Sequence, residues 1–426
     1  MSPVAKIVIV FLAVVFSLKL KSPLGVSLFA GSIVLGLWLG MPLDALGYSV
    51  LVGVFDPPNL VLLLIVIMIV LLSAVMQETK QLRKLVAAIR EVIRNPRFAV
   101  PTMTAIIGLL PMPGGARFSA PLVDEASRDL ATDNVHRATI NYWFRHIWEY
   151  WWPFYPSVIL ICAITGFSIG KVILVFLPAS IVMVVLGYFF YLRRLPKSDT
   201  KAVSKKRGSI LRFLYISRAI VVVIVLNFAL VNLRGPLQAA GLPLQELPTR
   251  SPLVLALAVG IAIALWGTGL KAWAVIRMVF NNRVSMMMLT VGSILIFSQV
   301  LEDAGAIEEI TNSMKGQEAP ILLLAFAIPF LVSFVTGIVV AYVGIALPIL
   351  YPVFVASLPQ SEIVAYVFVF SVSGFIAVML TPVHLCLILS NEYFGVKFMQ
   401  VARFLILPCI LSMAIYFGIF LLYRML

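Results

Sequence analysis

Leu72-Ser73-Ala74-Val75-Met76-Gln77-Glu78 and Phe297-Ser298-Gln299-Val300-Leu301-Glu302-Asp303 each close an apolar run with a polar, acid-tipped end. Three other pairs repeat at nearly the same offset, about 227 residues, and in the same order. Ser22-Pro23-Leu24 answers to Ser251-Pro252-Leu253, and Phe98-Ala99-Val100-Pro101 to Phe326-Ala327-Ile328-Pro329. Pro156, Phe167 and Lys171 answer to Pro382, Tyr393 and Lys397. Four matches in order read as an internal repeat, and the loop charges below give its second copy the opposite orientation in a membrane. Inverted repeats of this kind belong to many secondary transporters, whose substrate site lies between the copies near the bilayer midplane.

The chain has 426 residues, of which 62% are hydrophobic and 12% charged. An ordinary soluble protein carries roughly 25% charged residues. A hydrocarbon core about 30 Å thick requires about 20 apolar residues per helix. About ten stretches qualify: 4–19, 22–41, 58–77, 148–165, 170–192, 213–233, 251–268, 284–301, 363–381 and 403–424. Two more, 98–122 and 320–356, are interrupted. The expected fold is therefore an all-α polytopic membrane protein with about ten transmembrane helices and two re-entrant hairpins. The first repeat covers 1–193, a basic linker 194–212, and the second, inverted repeat 213–426.

The formal charge of +14 does not point to nucleic acid, because the basic residues sit in short loops between spans. Arg193, Arg194, Lys197, Lys201, Lys205, Lys206, Arg207, Arg212 and Arg218 face Asp199 alone. Lys80, Arg83, Lys84, Arg90, Arg94 and Arg97 follow the third span, Lys19 and Lys21 the first, and Lys271, Arg277 and Arg283 the seventh. One topology satisfies all four groups: a cell-membrane protein with these loops cytoplasmic and both termini outside. The counterpart of 78–97 in the second half is acidic (Glu302, Asp303, Glu308, Glu309 and Glu318 beside Lys315) and falls outside. Only Lys6 precedes the first apolar core and no cleavage pattern precedes Lys19, so that stretch is expected to be a retained helix. Leu82, Leu85, Val86, Ile89, Val92 and Ile93 mark an amphipathic helix, either interfacial or merely connecting; Ile307, Ile310 and Met314 are its weaker partner. Tyr142, Trp143, Trp148, Tyr150, Trp151, Trp152 and Tyr155 are expected mostly at headgroup level.

The apolar stretch 98–110 makes about 20 Å of helix, too short to cross. Pro111-Met112-Pro113-Gly114-Gly115 then stops it, since prolines remove donors and glycines permit left-handed turns. Residues 116–122 return toward Asp124, Glu125 and Arg128, giving a hairpin that enters and leaves by the cytoplasmic side. A second tip, dipping from outside, falls between Thr336-Gly337 and Gly344. Two broken spans complete the pattern, at Trp152-Pro153-Phe154-Tyr155-Pro156 with Thr165-Gly166, and at Thr381-Pro382-Val383-His384 with Ser390-Asn391-Glu392. Free N–H groups at such breaks favour anions, and free carbonyls favour Na⁺.

The candidate substrate-binding residues are Pro113, Gly114, Gly115, Arg117, Ser119, Thr336, Gly337, Thr381, Pro382 and His384. Arg117 is the leading counter-charge for a carboxylate, unless it snorkels to the cytoplasm. Ser119 either donates to the anion or bonds its own helix. Thr165, Ser390, Asn391 and Glu392 are the ion-coupling candidates. His384 and Glu392 either pass a proton or hold a cation, or are structural. Arg145, His146 and Glu149 are read as a local ion pair on the cytoplasmic rim. Cys162, Cys386 and Cys409 lie in apolar runs without metal-ligand spacing, so neither a disulfide nor a metal site is expected. No HExxH, nucleophile elbow or GxxxxGK loop is present, so neither an enzyme nor an ATP-driven pump is expected.

The strings Pro111-Met112-Pro113-Gly114-Gly115-Ala116-Arg117-Phe118-Ser119-Ala120-Pro121, Thr381-Pro382-Val383-His384-Leu385-Cys386 and Asn391-Glu392-Tyr393-Phe394 resemble the integral-membrane family called domain-of-unknown-function family 401. The resemblance covers nearly the whole chain. It implies distant kinship with gluconate permeases in the ion transporter superfamily, hence a scaffold domain, a transport domain, elevator-like access and a homodimer. It further implies an organic-anion substrate moved with Na⁺ or H⁺, with no cofactor beyond that coupling ion. The superfamily's Ser-Asn-Thr carboxylate signature is not evident at the tips, which argues against a dicarboxylate. The function expected is a secondary active transporter of a small organic anion such as a sugar acid. A cation/proton antiporter is the alternative, followed by a channel or lipid translocator. The expected partners are the anion and the bilayer.

Overall fold

A computed structural model describes residues 3–93, 95–112, 114–127, 130, 132–193, 195, 209–240, 248, 250–314 and 318–426. Pro113 and, apart from Leu195, residues 194–208 of the expected linker lie outside the described residues. All regular structure among the described residues is helical. The first half runs α1 (Pro3–Lys19), α2 (Leu24–Trp38), α3 (Leu43–Phe55), α4 (Pro57–Glu78), α5 (Gln81–Val92), α6 (Pro96–Gly108), α7 (Ala116–Ala126), α8 (Asn134–Arg145), α9 (Pro156–Thr165) and α10 (Ile169–Gly187). A π-helical turn, Tyr188–Leu192, ends it. The second half runs α11 (Ser209–Ala239), α12 (Ser251–Leu265), α13 (Ala272–Val279), α14 (Asn282–Asp303), α15 (Ala306–Met314), α16 (Glu318–Thr336), α17 (Val339–Ser357), α18 (Ile363–Leu380), α19 (Leu385–Phe394) and α20 (Phe398–Met425).

The halves correspond helix by helix. α2 and α12 have 15 residues each, α4 and α14 22 each, and α9 and α19 10 each. Packing obeys the same exchange. α2 lies on α14 as α12 lies on α4, α7 on α19 as α17 on α9, α8 on α20 as α18 on α10, and α5 on α11 as α15 on α1. Small residues allow the closest approaches: a β-carbon at Gly25 would come within 2.8 Å of the α14 backbone, and one at Gly53 within 2.9 Å. Close backbone contact at small residues is how helices pack where lipid supplies no hydrophobic drive between them.

Seven helical stretches among the described residues are long and apolar enough to cross a membrane, one of them being α18 and α19 taken together. Others of the expected ten are shorter, because local chemistry cuts them. The 148–165 stretch is helical only from Pro156, which sits at the first helical position, where its missing N–H costs nothing. Residues 146–155 before it form successive turns. Gly166 and Gly395 close α9 and α19 in the left-handed conformation, at φ +71° and +64°. The two hairpins differ in length. α6 and α7 have 13 and 11 residues, whereas α16 and α17 have 19 each, and α17 is itself among the seven long stretches. Both turn at a left-handed glycine, Gly114 at φ +71° and Gly337 at φ +66°.

The structure bears on two groups of residues read as interfacial. Leu82, Leu85 and Val86 of α5 are buried against protein, and α5 packs on α4, α6 and α11 as a connecting helix. Most of the aromatic cluster faces the protein core instead of lipid or water, with Tyr142, Trp143, Tyr150, Trp152 and Tyr155 buried. Most of their polar ends find acceptors inside, the condition for burying such rings, whereas the buried Trp152 Nε1 has no hydrogen-bond partner. Trp143 Nε1 donates to Met183 O at 2.9 Å, Trp148 Nε1 to Ala105 O at 2.7 Å and Tyr142 OH to Val378 O at 3.1 Å.

Candidate functional site

The first tip, the second tip and the two helix breaks meet at one buried cluster. α8 carries Tyr142, Arg145, His146 and, one turn past its end, Glu149, at the three- and four-residue spacing that places them together. Arg145, His146 and Glu149 are 2%, 0% and 9% exposed, so the expected cytoplasmic rim is instead an interior. Pro153 and Pro156 prevent the helix from continuing, which frees Glu149 to lie beside His146 with Oε1 3.7 Å from Nε2. From the other half, His384 enters at the start of α19, and its Nε2 lies 3.1 Å from His146 Nε2. Both remaining ring nitrogens are tied to backbone carbonyls: His146 Nδ1 to Tyr142 O at 2.6 Å and His384 Nδ1 to Gly337 O at 2.7 Å. Carbonyls only accept, so each Nδ1 carries the hydrogen.

Gly337 sits so close to the second break that a β-carbon there would come within 2.9 Å of His384 N. Thr381 Oγ1 donates to Phe334 O at 2.6 Å, binding the same break to α16. On the first side, Arg145 Nη2 donates to Met112 O at 2.9 Å. Its Nε and Nη1, also buried, find no oxygen or nitrogen acceptor, and the neighbouring group that the guanidinium senses is the Cys386 sulfur. Gly115 lies directly against the guanidinium, leaving no room for a side chain. Asn141 Nδ2 donates to Ser390 Oγ at 3.1 Å and to Ala116 O at 3.3 Å, while Ser390 Oγ donates to Ala138 O at 3.1 Å. The Oδ1 atoms of Asn141 and Asn391 are buried and unpartnered.

An open cavity of about 680 Å³ adjoins this cluster, lined among others by Gln77, Arg83, Gly114, Gly115, Arg117 and Leu385. Among the described residues its lining holds two arginines and no carboxylate. What separates the cavity from the Arg145 guanidinium at Gly115 is a residue without a side chain. The cavity wall thus carries positive charge at Arg83 and Arg117, with a further cation, Arg145, behind the tip.

Among the expected site residues, the structure brings Gly114, Gly115, Gly337, Thr381 and His384 to this centre. Arg117 is exposed on the cavity wall, and Pro382 is exposed at the second break. Ser119 is buried, and its hydroxyl faces its own helix, 3.3 Å from Ala116 O. Thr336 Oγ1 likewise donates to Val332 O at 2.8 Å. Ser390 and Asn391 lie in the buried network, whereas Glu392 is exposed. Thr165 is elsewhere, at the end of α9, where its carbonyl accepts from Tyr351 OH at 2.7 Å. Sequence reasoning gave no role at the centre to Arg145, His146, Glu149, Asn141 or Cys386. The helical spacing of Tyr142, Arg145, His146 and Glu149 was the available signal, and the crowd of aromatics around it concealed it.

These features define a polytopic helical membrane protein with a transporter fold. The fold matches the crystal structure of the Alcanivorax borkumensis YdaH transporter, described as having an unusual topology, with a TM-score of 0.59 and 15% identity over 90% of this chain and 89% of that one. The chain belongs to the family described as "Protein of unknown function (DUF401)", whose model matches residues 4–423. The family resemblance carried by the tip and break motifs is thereby met. No curated protein matches the chain.

Proposed function

We propose that this protein is a secondary active transporter of a small organic anion, a carboxylate such as a sugar acid, coupled to Na⁺ or H⁺. The observation that carries the proposal is a cavity with Arg83 and Arg117 in its largely apolar wall and, behind Gly115, a buried arginine two of whose nitrogens find no oxygen or nitrogen acceptor. A buried donor left unpaired costs about 1–3 kcal/mol, and a carboxylate offers a planar guanidinium the bidentate acceptor it lacks. Arg145 replaces Arg117 as the counter-charge in this reading, and Arg83 and Arg117 attract the anion at the mouth. The exchange-related packing supports an inverted repeat with two re-entrant tips and elevator-like access, in line with a distant kinship to gluconate permeases. The positive-inside rule favours the Lys84 side as cytoplasmic and both termini outside, with the cell membrane as the membrane of this reading. A homodimer belongs to the same reading.

The test is thermal stabilisation of the detergent-purified protein by sugar acids, di- and tricarboxylates and phosphate esters, in Na⁺ and in K⁺. A ligand at a hundredfold excess over its Kd raises apparent stability by about 2.7 kcal/mol. One anion class is expected to shift the midpoint, and Arg145→Lys, which keeps the charge but not the planar fork, to abolish the shift. An unchanged shift in that variant sinks the assignment of Arg145. One observation favours a second reading, a cation/proton antiporter: the direct His146–His384 contact beside Glu149. Stabilisation by Na⁺ or pH with no anion effect would select it.

A further inference from the structure

Both histidines of the central pair hold their Nδ1 hydrogens toward carbonyls, so both Nε2 atoms present lone pairs to each other at 3.1 Å. Two lone pairs at that distance repel unless a cation lies between them. A third donor, the Cys386 sulfur, converges on the same point: its Sγ and one nitrogen of each histidine all lie within 4.8 Å of one another, and all three residues are buried. Glu149 Oε1, 3.7 Å from His146 Nε2, stands ready as a fourth oxygen ligand or as a neutralising charge.

We propose that His146 Nε2, His384 Nε2 and Cys386 Sγ form a binding site for a thiophilic d-block cation, with Zn²⁺ as the leading candidate. Two imidazoles on a tetrahedral zinc, at Zn–N of about 2.0–2.1 Å, stand about 3.3 Å apart, close to the separation found here. The carbonyl bonds to both Nδ1 atoms are the outer-shell orientation that metal-bound histidines require, fixing tautomer and ring angle before a metal arrives. Thiolate with imidazole selects zinc or copper(I) over Na⁺, Mg²⁺ or Ca²⁺, which take oxygen ligands. Chain spacing gave no hint of this site, because its ligands come from the end of α8 in one half and the start of α19 in the other. A metal there joins the two halves and, through Gly337 O, the second tip. The inference stands apart from the anion assignment, since metal binding is read without any transported substrate.

The experiment is metal analysis of the full-length protein, stripped with a chelator and then titrated with Zn²⁺ or Co²⁺. One tight equivalent of Zn²⁺ is expected, and the Co²⁺ form is expected to show tetrahedral visible bands with a thiolate-to-cobalt charge-transfer band. Cys386→Ser should remove the charge-transfer band while Cys162→Ser and Cys409→Ser retain it. His146→Gln and His384→Gln should each weaken Zn²⁺ binding by roughly 100-fold, at or beyond the upper end of what loss of an outer-shell partner does. Failure of the unmodified protein to bind a stoichiometric metal, or a Co²⁺ form without a thiolate band, overturns the proposal whatever the variants do, and leaves a shared proton between the rings.

Discussion

Gly115→Ala adds a single methyl group where the Arg145 guanidinium already lies, and the expected result is a displaced arginine. The added carbon would overlap Nη1, Nη2 and Cζ, the planar head of a side chain only 2% exposed. That head has little space to retreat into, since overpacking a tight interior costs about 1–3 kcal/mol. If the arginine swings away, it also loses the hydrogen bond to Met112 O, and bonds to charged groups contribute about 1.5–3 kcal/mol. The apparent destabilisation expected is therefore about 2.5–6 kcal/mol. Anion affinity should fall roughly 10- to 150-fold, the equivalent of one charge-assisted bond. The assay is thermal unfolding in detergent beside anion binding by the same midpoint shift. Gly418→Ala is the control, because a β-carbon there, within α20, meets nothing within 4 Å. A Gly115→Ala protein as stable as the control, with unaltered anion binding, would refute the claim that the tip holds Arg145 in a working position.

Arg117→Ala and Arg83→Ala, on the open cavity wall, should each weaken anion binding only several-fold and flatten its dependence on ionic strength, because exposed charges steer more than they hold. Comparing affinities at low and high salt checks this, and a loss as large in high salt as in low would contradict it. For topology, the three native cysteines are buried, so added ones can be read against a low background. Lys84→Cys is expected to react with an impermeant maleimide only from the cytoplasmic side and Glu308→Cys only from outside; reaction from the same side would remove the inverted repeat.

The family and the all-helical membrane class were legible because they rest on composition and on unbroken motifs. Pro111-Met112-Pro113-Gly114-Gly115 told where the first tip falls, since that backbone chemistry has few helical solutions. Thr336-Gly337 marked the second tip for the same reason, and the structure turns there at a left-handed glycine. Helix number was less legible, because hydropathy cannot separate a ten-residue half-helix behind turns from a full span, as 148–165 shows. The centre of the site was least legible. His146 and His384 stand far apart in the chain and neither position carries a local signal of its partner. Arg145 was discounted because a charge beside tryptophans looks interfacial until the fold shows those indoles donating to internal carbonyls.

The hydrogen bonds at the site say which parts can move together. Asn141–Ser390, Tyr142–Val378, Asn134–Phe394 and Tyr351–Thr165 all join one half of the chain to the other, and all lie within the set formed by α6–α10 and α16–α20. Ser49–Asp303 and Gln81–Ala264 join the halves again, within the set formed by α1–α5 and α11–α15. Each set is thus sewn together from both repeats. Between the sets, α5 rests on α6, α15 and α14 on α17, α1 on α16 and α4 on α9, and Arg250 Nη2 donates to Cys162 O at 2.9 Å. Rocking one repeat against the other would break every cross-half bond in both sets, buried ones included, at about 1–3 kcal/mol for each group left unpaired. Sliding one set past the other asks for apolar helix faces to shift and for bonds such as that of Arg250 to be exchanged with water or lipid headgroups. The second motion is the cheaper by several such bonds, which is the physical support for the elevator-like access proposed above over a rocker.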